Sequence, residues 1–453
     1  MKINSIRIEN FQLFSAAEFD FDPHVNLVVG ANGSGKTSLL RALAVALGGW
    51  AHAYIDDERN HRQILDSEVR ESPREGRYEK VWPVRIAATG EASIIDPQGE
   101  EKNGFVSWTR SRAKESERTK IAANIVYEKF PKNYPLSFAT LGSDAIKYID
   151  SGHDFTFPLF AFYECDRIWK AQESISPETS ATLRYSRFDA YRDCFHTGAN
   201  HRALGEWLVK HELASLQKKH DTPVLQSIRN AARAALEGCT GLRFDFEDSR
   251  VMVEYGAAPS VPFEHLSDGQ RTMLGLFCDL ARRAAILNPH LAGDACAQTP
   301  GVVLIDELDL HLHPRWQRAI IASLRKIFPR MQFICTTHSP FLIQSLHGGK
   351  LIPLGKLEET DAVGTEYEKL SIEDIVELIQ GVEMPQRSQR WMAMTKAAEQ
   401  YYTLLRAARP SDAETLAALK QKLDALIEPF SDDPAYQAFL RMERLAALGE
   451  AGL

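Results

Sequence analysis

The chain has 453 residues, 44% hydrophobic and 25% charged, an ordinary globular composition with room for two or three domains. Its net charge of −8, from 53 basic and 61 acidic residues, excludes a global attraction to nucleic acid or anionic membrane but leaves room for a local basic patch. The opening MKINSIRIEN lacks the apolar core of a secretion signal, and no apolar run approaches the roughly 20 residues of a bilayer span. Six cysteines, no two closer than Cys278 and Cys296, form neither a CxxC pair nor a disulfide framework, so a reduced cytoplasmic setting is expected, without a membrane.

In chain order, Ile3, Ile6 and Ile8 open a β-rich segment, and the alternating run Glu18 to Phe21 follows. Val25 to Val29 is a continuous apolar run, which predicts a strand buried on both faces. It leads straight into GANGSGKT, Gly30 to Thr37, and a helix from Ser38 to about Leu47. The region from about Trp50 to His265 gives mixed signals. Strands are expected at Val81 to Ala88, Phe157 to Tyr163, Leu242 to Phe246 and Val251 to Tyr255, and helices at Ala203 to Lys219 and Val224 to Leu236. The charged stretch Arg110 to Lys120 reads as a solvated loop or helix face.

The pattern sharpens again at LSDGQ, Leu266 to Gln270, which precedes a periodic helix, Thr272 to Leu287. An apolar strand, Val302 to Ile305, ends in the acidic pair Asp306 and Glu307. A helix from Arg315 to Phe328 then leads to the strand Phe333 to Thr336 and His338. Such alternation predicts a mostly parallel sheet covered on both faces. The tail, Ser371 to Leu453, is helical by composition, broken at Pro385 and Pro410, with no internal repeat and no coiled-coil heptads.

GANGSGKT fits G-x-x-x-x-G-K-[ST] in the strand-then-helix context that motif needs. Glycines turn backbone N–H groups inward around phosphates, and the helix N-terminus adds its positive end. Asn32, Gly33, Ser34, Gly35, Lys36, Thr37 and Ser38 are therefore candidate nucleotide-binding residues, with Lys36 aimed at the β/γ-phosphates and the Thr37 hydroxyl at Mg²⁺. Asp306 is the second candidate Mg²⁺ ligand, and Glu307 the candidate general base. At LSDGQ, a serine followed by a glycine at a helix start offers a second anion site.

LSDGQ resembles the ABC signature motif, which implies that Ser267, Gly269 and Gln270 contact ATP held by a partner subunit. Together with IRIENFQLFSAAEFDF before the P-loop and LDLHLHPRWQ after the acidic pair, the motifs resemble the SMC/RecF-like branch of ABC ATPases. That resemblance implies an α/β ABC-type P-loop NTPase head with a helical or mixed insertion between the P-loop and the signature, and a helical C-terminal tail. Residues 1–50 and 261–356 would form the ATPase core, 51–260 an insertion completing the ATPase lobe with a helical subdomain, and 357–453 a helical region for partners or oligomerisation. It also implies Asp309 at a dimer interface and His338 as the switch that senses the γ-phosphate. Gln12 stands where many relatives carry a basic residue, and the resemblance does not place the Q-loop glutamine, for which Gln63 is one candidate. His311 and His313 lack a third nearby ligand for a metal.

Pro158 to Trp169, Arg187 to Leu208 and Ser371 to Ser388 are similar to segments of the Septu-type anti-phage defence ATPases (PtuA) and their retron-associated relatives. This nearer resemblance implies an ATP- and Mg²⁺-dependent head-to-tail homodimer, or a higher oligomer, that regulates a separate HNH-type nuclease, with nucleic acid reached through the complex. The alternative is a RecF/Rad50-like DNA-repair ATPase that clamps DNA directly. A membrane-transporter subunit is disfavoured by the long insertion. The cluster Glu373, Asp374 and Glu377 reads as a solvated helix surface rather than a nuclease site.

Overall fold

The computed structural model describes residues 1–54, 62–74, 76–95, 99–126, 138–165, 186–195, 201–355, 367–382, 384–407 and 413–427. The chain parts into two compact units, Met1–Ile375 and Val376–Leu453.

The larger unit is built on two five-stranded sheets. The first is antiparallel. It pairs β1 (Lys2–Phe11) with β2 (Phe14–Asp20), and its other edge of β1 takes β6 (Val84–Ile95), β7 (Glu101–Arg112) and β8 (Lys120–Val126), in the order β2-β1-β6-β7-β8. A short hairpin, β4 (Glu71–Arg74) and β5 (Arg77–Lys80), lies between β2 and β6 in sequence. The second sheet is wholly parallel. It takes β3 (Val25–Gly30), β9 (Leu159–Tyr163), β13 (Gly301–Ile305), β14 (Met331–Thr336) and β15 (Lys350–Leu354) in the order β15-β3-β14-β13-β9. A smaller antiparallel sheet joins β10 (Gly241–Asp245), β11 (Arg250–Tyr255) and β12 (Ala258–Pro262).

The helix α1 (Lys36–Tyr54) contacts strands of both large sheets. That position explains its composition: Leu39, Leu40, Ala42 to Leu47, Trp50 and Ala51 are all buried, so the helix is apolar around its circumference rather than along one stripe. Trp108 on β7 donates its indole N–H to Ala46 O and stacks edge-on against Trp50. The two sheets are also tied through Gln332 of β14. Its amide accepts from Ile3 N–H and donates to Ile3 O and Asp22 O, so a buried polar side chain has its partners satisfied.

Among the described residues, the longer helices that remain in this unit are α2 (Phe138–Asp150), α3 (His201–Lys218), α4 (Pro223–Ala235), α5 (Asp268–Leu287) and α6 (Pro314–Ile327). Most of the elements expected from sequence are present, with boundaries moved by a few residues. The stretch Arg110 to Lys120 is the correction. Arg110 lies within β7, which runs on to Arg112; it is buried and donates to Arg62 O, and the solvated part is the turn between Arg112 and Lys120, which opens β8. In the second unit, α7 (Gln389–Ala407) and α8 (Ala413–Ile427) pack around Met394, Ala397, Ala398, Tyr401, Tyr402 and Leu423. Parts of the three segments shared with the Septu-type ATPases, residues 166–169, 196–200 and 383, lie outside the described residues.

Candidate active site

The carboxyl ends of β3, β13 and β14, three adjacent parallel strands, bring together residues far apart in sequence. This is where ligands sit in open α/β sheets. β3 stops at Gly30 and α1 starts at Lys36, so Ala31 to Gly35 form a loop over the helix N-terminus. A Cβ on Gly30 would lie 2.6 Å from Ser34 Oγ and 2.9 Å from Leu354 O. Gly35, at φ +104°, has no room for a Cβ beside the Phe14 ring, 2.9 Å away. The glycines thus allow the loop to close tightly. Ala31, Asn32 and Gly33 are exposed, while Gly35, Lys36 and Ser38 are buried.

Lys36 folds back over this loop and donates from Nζ to Gly30 O (2.9 Å) and Ala31 O (3.0 Å). Burial pushes its ammonium pKa below the ordinary lysine value, against the opposing pull of Asp306, Glu307 and Asp309. The Thr37 hydroxyl donates to Asp306 Oδ2 (2.8 Å), joining groups 269 positions apart. Thr336 donates from Oγ1 to Asp306 Oδ1 (2.6 Å) and accepts from Glu307 N–H (2.7 Å). Glu307 itself sits at φ +50°, a left-handed conformation that costs a non-glycine residue and recurs at functional sites. The Thr336 bonds on either side, Glu307 N–H to its hydroxyl and Leu308 N–H to its carbonyl, hold the acid there.

Past the acids, Asp309 Oδ1 accepts from Thr337 Oγ1 (2.5 Å) and from His338 N–H (3.4 Å). Asp309 and His338, both expected at the site, are therefore braced against each other within one chain. His338 is exposed. His313 accepts from Arg315 N–H and caps α6, which accounts for one of the two histidines weighed for a metal.

The signature segment is organised differently. Ser267 is the N-cap of α5, and with Gln270 it forms a capping box: Ser267 N–H donates to Gln270 Oε1 (3.1 Å), and Gln270 N–H to Ser267 Oγ (3.4 Å). Ser267 is exposed. Gly269 is buried where a Cβ would fall 2.4 Å from His311 O and 3.2 Å from the Trp316 ring. The signature turn thus lies directly on the loop that follows the acidic pair.

Three side chains that orient this region were not expected from sequence. Thr336 and Thr337 are common strand-end residues whose role shows only through their partners. Tyr163 accepts from Asp306 N–H at its carbonyl and donates from its hydroxyl to Asp279 Oδ2 (2.8 Å), in the middle of α5. Asp279 is fully buried and also pairs with Arg282 (2.6 Å) and Arg283 (2.7 Å). Burial would raise its pKa, but the two guanidiniums outweigh that and hold the carboxyl far below the usual range. Gln63 lines a separate cleft of about 760 Å³ with Arg41, Arg62, Arg112 and Glu164. Gln12, at φ +46°, is fixed by its N–H to Glu68 O (2.8 Å) in the β1–β2 turn, two residues before the Phe14 that packs on Gly35.

These residues suit a nucleotide and a hard cation. Thr37 and Asp306 offer an oxygen pair of the kind Mg²⁺ takes. Ser34 Oγ is buried without a hydrogen-bond partner inside the loop, and the backbone around it is open to an anion.

A parallel sheet, a glycine loop over a buried helix start and an acidic strand end together define a P-loop ATPase. A family model described as an AAA domain matches residues 5–233, and a second AAA-domain model matches residues 205–344. The chain belongs to this AAA-domain family and is an ATPase. Among curated relatives it is 22% identical to the "Retron Vc95 probable ATPase" of Vibrio cholerae serotype O1 biovar El Tor, over 79% of this chain and 74% of that one. It is 23% identical to "Septu protein PtuA" of Bacillus thuringiensis, over 84% of each. A shorter stretch, 12% of the chain and 14% of the relative, is 44% identical to "DNA replication and repair protein RecF" of Heliobacterium modesticaldum (strain ATCC 51547 / Ice1). These relatives agree with the SMC/RecF-like and Septu-like character of the motifs. A solved SMC head bound to the C-winged helix domain of ScpA is similar to 76% of this chain and 92% of that one, at 13% identity and a TM-score of 0.44.

Proposed function

We propose that this ATPase closes as a head-to-tail dimer on two ATP molecules and thereby regulates a separate nuclease, of HNH type, in an anti-phage defence complex. One observation carries the catalytic half of the reading. The chain Thr37–Asp306–Thr336–Glu307 is a continuous hydrogen-bonded line from the P-loop to the acid that would act as base.

In this reading Lys36 leaves the Gly30 and Ala31 carbonyls and turns to the β/γ-phosphates, joined by N–H groups of Asn32 to Ser38. Thr37 and Asp306 would hold Mg²⁺, whose charge favours the build-up of negative charge on the phosphates. Glu307 takes a proton from the attacking water, with its backbone already fixed by Thr336. His338 reports on the γ-phosphate, and Asp309 passes that state to the dimer interface. Ser267, Gly269 and Gln270 meet ATP held by the partner subunit, the exposed Ser267 hydroxyl exchanging its bonds to Gln270 for that contact.

The defence assignment is supported by the similarity to the Septu and retron proteins over most of the chain. Glu373, Asp374 and Glu377 are exposed, in keeping with a solvated surface rather than a nuclease site in this chain. The test is a pull-down of the intact chain with native mass measurement, with and without ATP, using Glu307→Gln. That variant is expected to bind ATP, to hydrolyse it about 10²- to 10⁴-fold more slowly and to accumulate as a dimer. Ser267→Arg added to it is expected to abolish the dimer while ATP binding persists. A tight ATP-dependent dimer in the double variant would remove the signature assignment. Capture of DNA without a nuclease would favour a direct DNA clamp.

A further inference from the structure

Gln317, in the first turn of α6, is a half-buried polar residue that none of the nucleotide-binding roles above requires. Its amide is used at both ends. Nε2 donates to Leu312 O (2.8 Å) and Asp309 O (3.4 Å), and Oε1 accepts from the Ser339 hydroxyl (2.7 Å). Ser339 N–H in turn donates to Thr337 Oγ1 (2.9 Å), whose own proton goes to Asp309 Oδ1 (2.5 Å). Asp309, Thr337, Ser339 and Gln317 thus close a ring of hydrogen bonds, and it grips the residues on both sides of His338. Thr337 and Ser339 are buried in the ring, whereas His338 is exposed.

The loop that Gln317 holds is strained. Glu307 and His311 both take left-handed backbone conformations, φ +50° and +61°, which cost a non-glycine residue. Two turns carry them, closed by Leu310 N–H to Glu307 O and by Leu312 N–H to Asp309 O. Gln317 bonds two carbonyls of the second turn. Its neighbour Trp316 faces the signature turn, where a Cβ on Gly269 would fall 3.2 Å from the indole and 2.4 Å from His311 O. Arg318 lies over the Phe341 ring, just past the switch segment. One helical turn therefore bears on the loop after the acids, on the segment around His338 and on the signature turn. The bonding demands an amide. A carboxylate could accept from Ser339 but could not donate to the loop carbonyls, and an ammonium could do only the reverse.

We infer that Gln317 is a positioning residue for ATP hydrolysis: it fixes the segment carrying His338 against the loop carrying Asp309, so that both meet the bound nucleotide in one arrangement. The inference rests on the proposed role of His338 at the γ-phosphate. A ring of four residues holds its members more tightly than single bonds do, because each bond aligns the next. The bonds of Gln317 run to the loop and the switch segment, away from the cradle at Gly30 to Thr37, so its loss acts on turnover rather than on nucleotide affinity.

The experiment measures kcat, ATP affinity by titration calorimetry and melting temperature in the full chain, for Gln317→Leu, Ser339→Ala, the two combined, and His338→Ala. Gln317→Leu is expected to lower kcat on the order of 10-fold while the Kd for ATP stays within about 2-fold. Ser339→Ala breaks the same ring from the other side and should also lower kcat. Together the two should cost little more than the larger one alone, because both remove the bond they share; independent structural losses would multiply. Should Gln317→Leu fold poorly, Gln317→Glu, which keeps the acceptor for Ser339 and loses both donors, should still lower kcat at parental ATP affinity. ATP affinity lost along with kcat, or losses that multiply in the double variant, would overturn the inference. So would a parental kcat in the Gln317 variants beside an impaired His338→Ala, which leaves the role of His338 standing. A parental kcat in His338→Ala would instead remove that role, and this inference with it.

Discussion

The two helix N-termini that carry glycine-containing anion motifs are prepared in opposite ways. At α1 the first turn holds no acidic residue, the preceding loop is exposed, and Lys36 is parked on loop carbonyls that it can leave. At α5 the first turn is already occupied. Ser267 and Gln270 cap each other, Asp268 puts a carboxylate there and pairs with Arg271, and Gly269 is wedged against His311 O. The first terminus is open to a phosphate within its own chain. The second must be unlatched, which under the proposed function a triphosphate held by another subunit would do. Helix dipole and glycine are common to both, so what separates them is how the local hydrogen bonds are spent.

The comparison breaks most readily at α1. Lys36→Ala removes the only cation buried in the loop and is expected to lower ATP affinity at least 100-fold, read by isothermal titration. Unchanged affinity would erase the difference between the two termini. The next largest effect falls on the body of α5. Asp279→Asn strips a buried carboxylate from between two buried arginines and should cost about 3–5 kcal/mol of stability near pH 7. The pH dependence has a definite sign. Because the folded-state pKa of Asp279 is depressed, its contribution is complete above the unfolded value of about 4 and is lost as pH falls toward the folded value. The gap in unfolding free energy between parent and variant should therefore narrow only below about pH 4; a gap that closes between pH 7 and 5 would assign the effect to another group. The smallest effect sharpens the contrast. Gly269→Ala forces a methyl against the His311 carbonyl and should cost about 1–3 kcal/mol while leaving ATP affinity at α1 unchanged. Its dimerisation should weaken if the seating of Ser267 depends on that contact.

One residue links the acidic strand end to the body of α5. Tyr163 touches Asp306 through its backbone and Asp279 through its hydroxyl, so the signature helix and the acidic strand end share a residue. It lies in the apolar run Phe157 to Tyr163, which periodicity marks as a strand and nothing more. The threonines at 336 and 337 were equally silent. A strand-end hydroxyl is unremarkable until the partner strand places a carboxylate beside it.

The sequence by itself determined the local chemistry: the P-loop, the acidic strand end, the signature turn and the strands and helices flanking them. Each rests on short-range rules of glycine conformation, period and capping that act within a few residues. Only the tertiary structure decided that Thr37 meets Asp306, that Thr336 holds Glu307 in a left-handed turn, that Arg110 is buried and that Gly269 bears on His311. Those contacts depend on which strands lie side by side, and strand order is set by the packing of two sheets around α1, which no local pattern encodes.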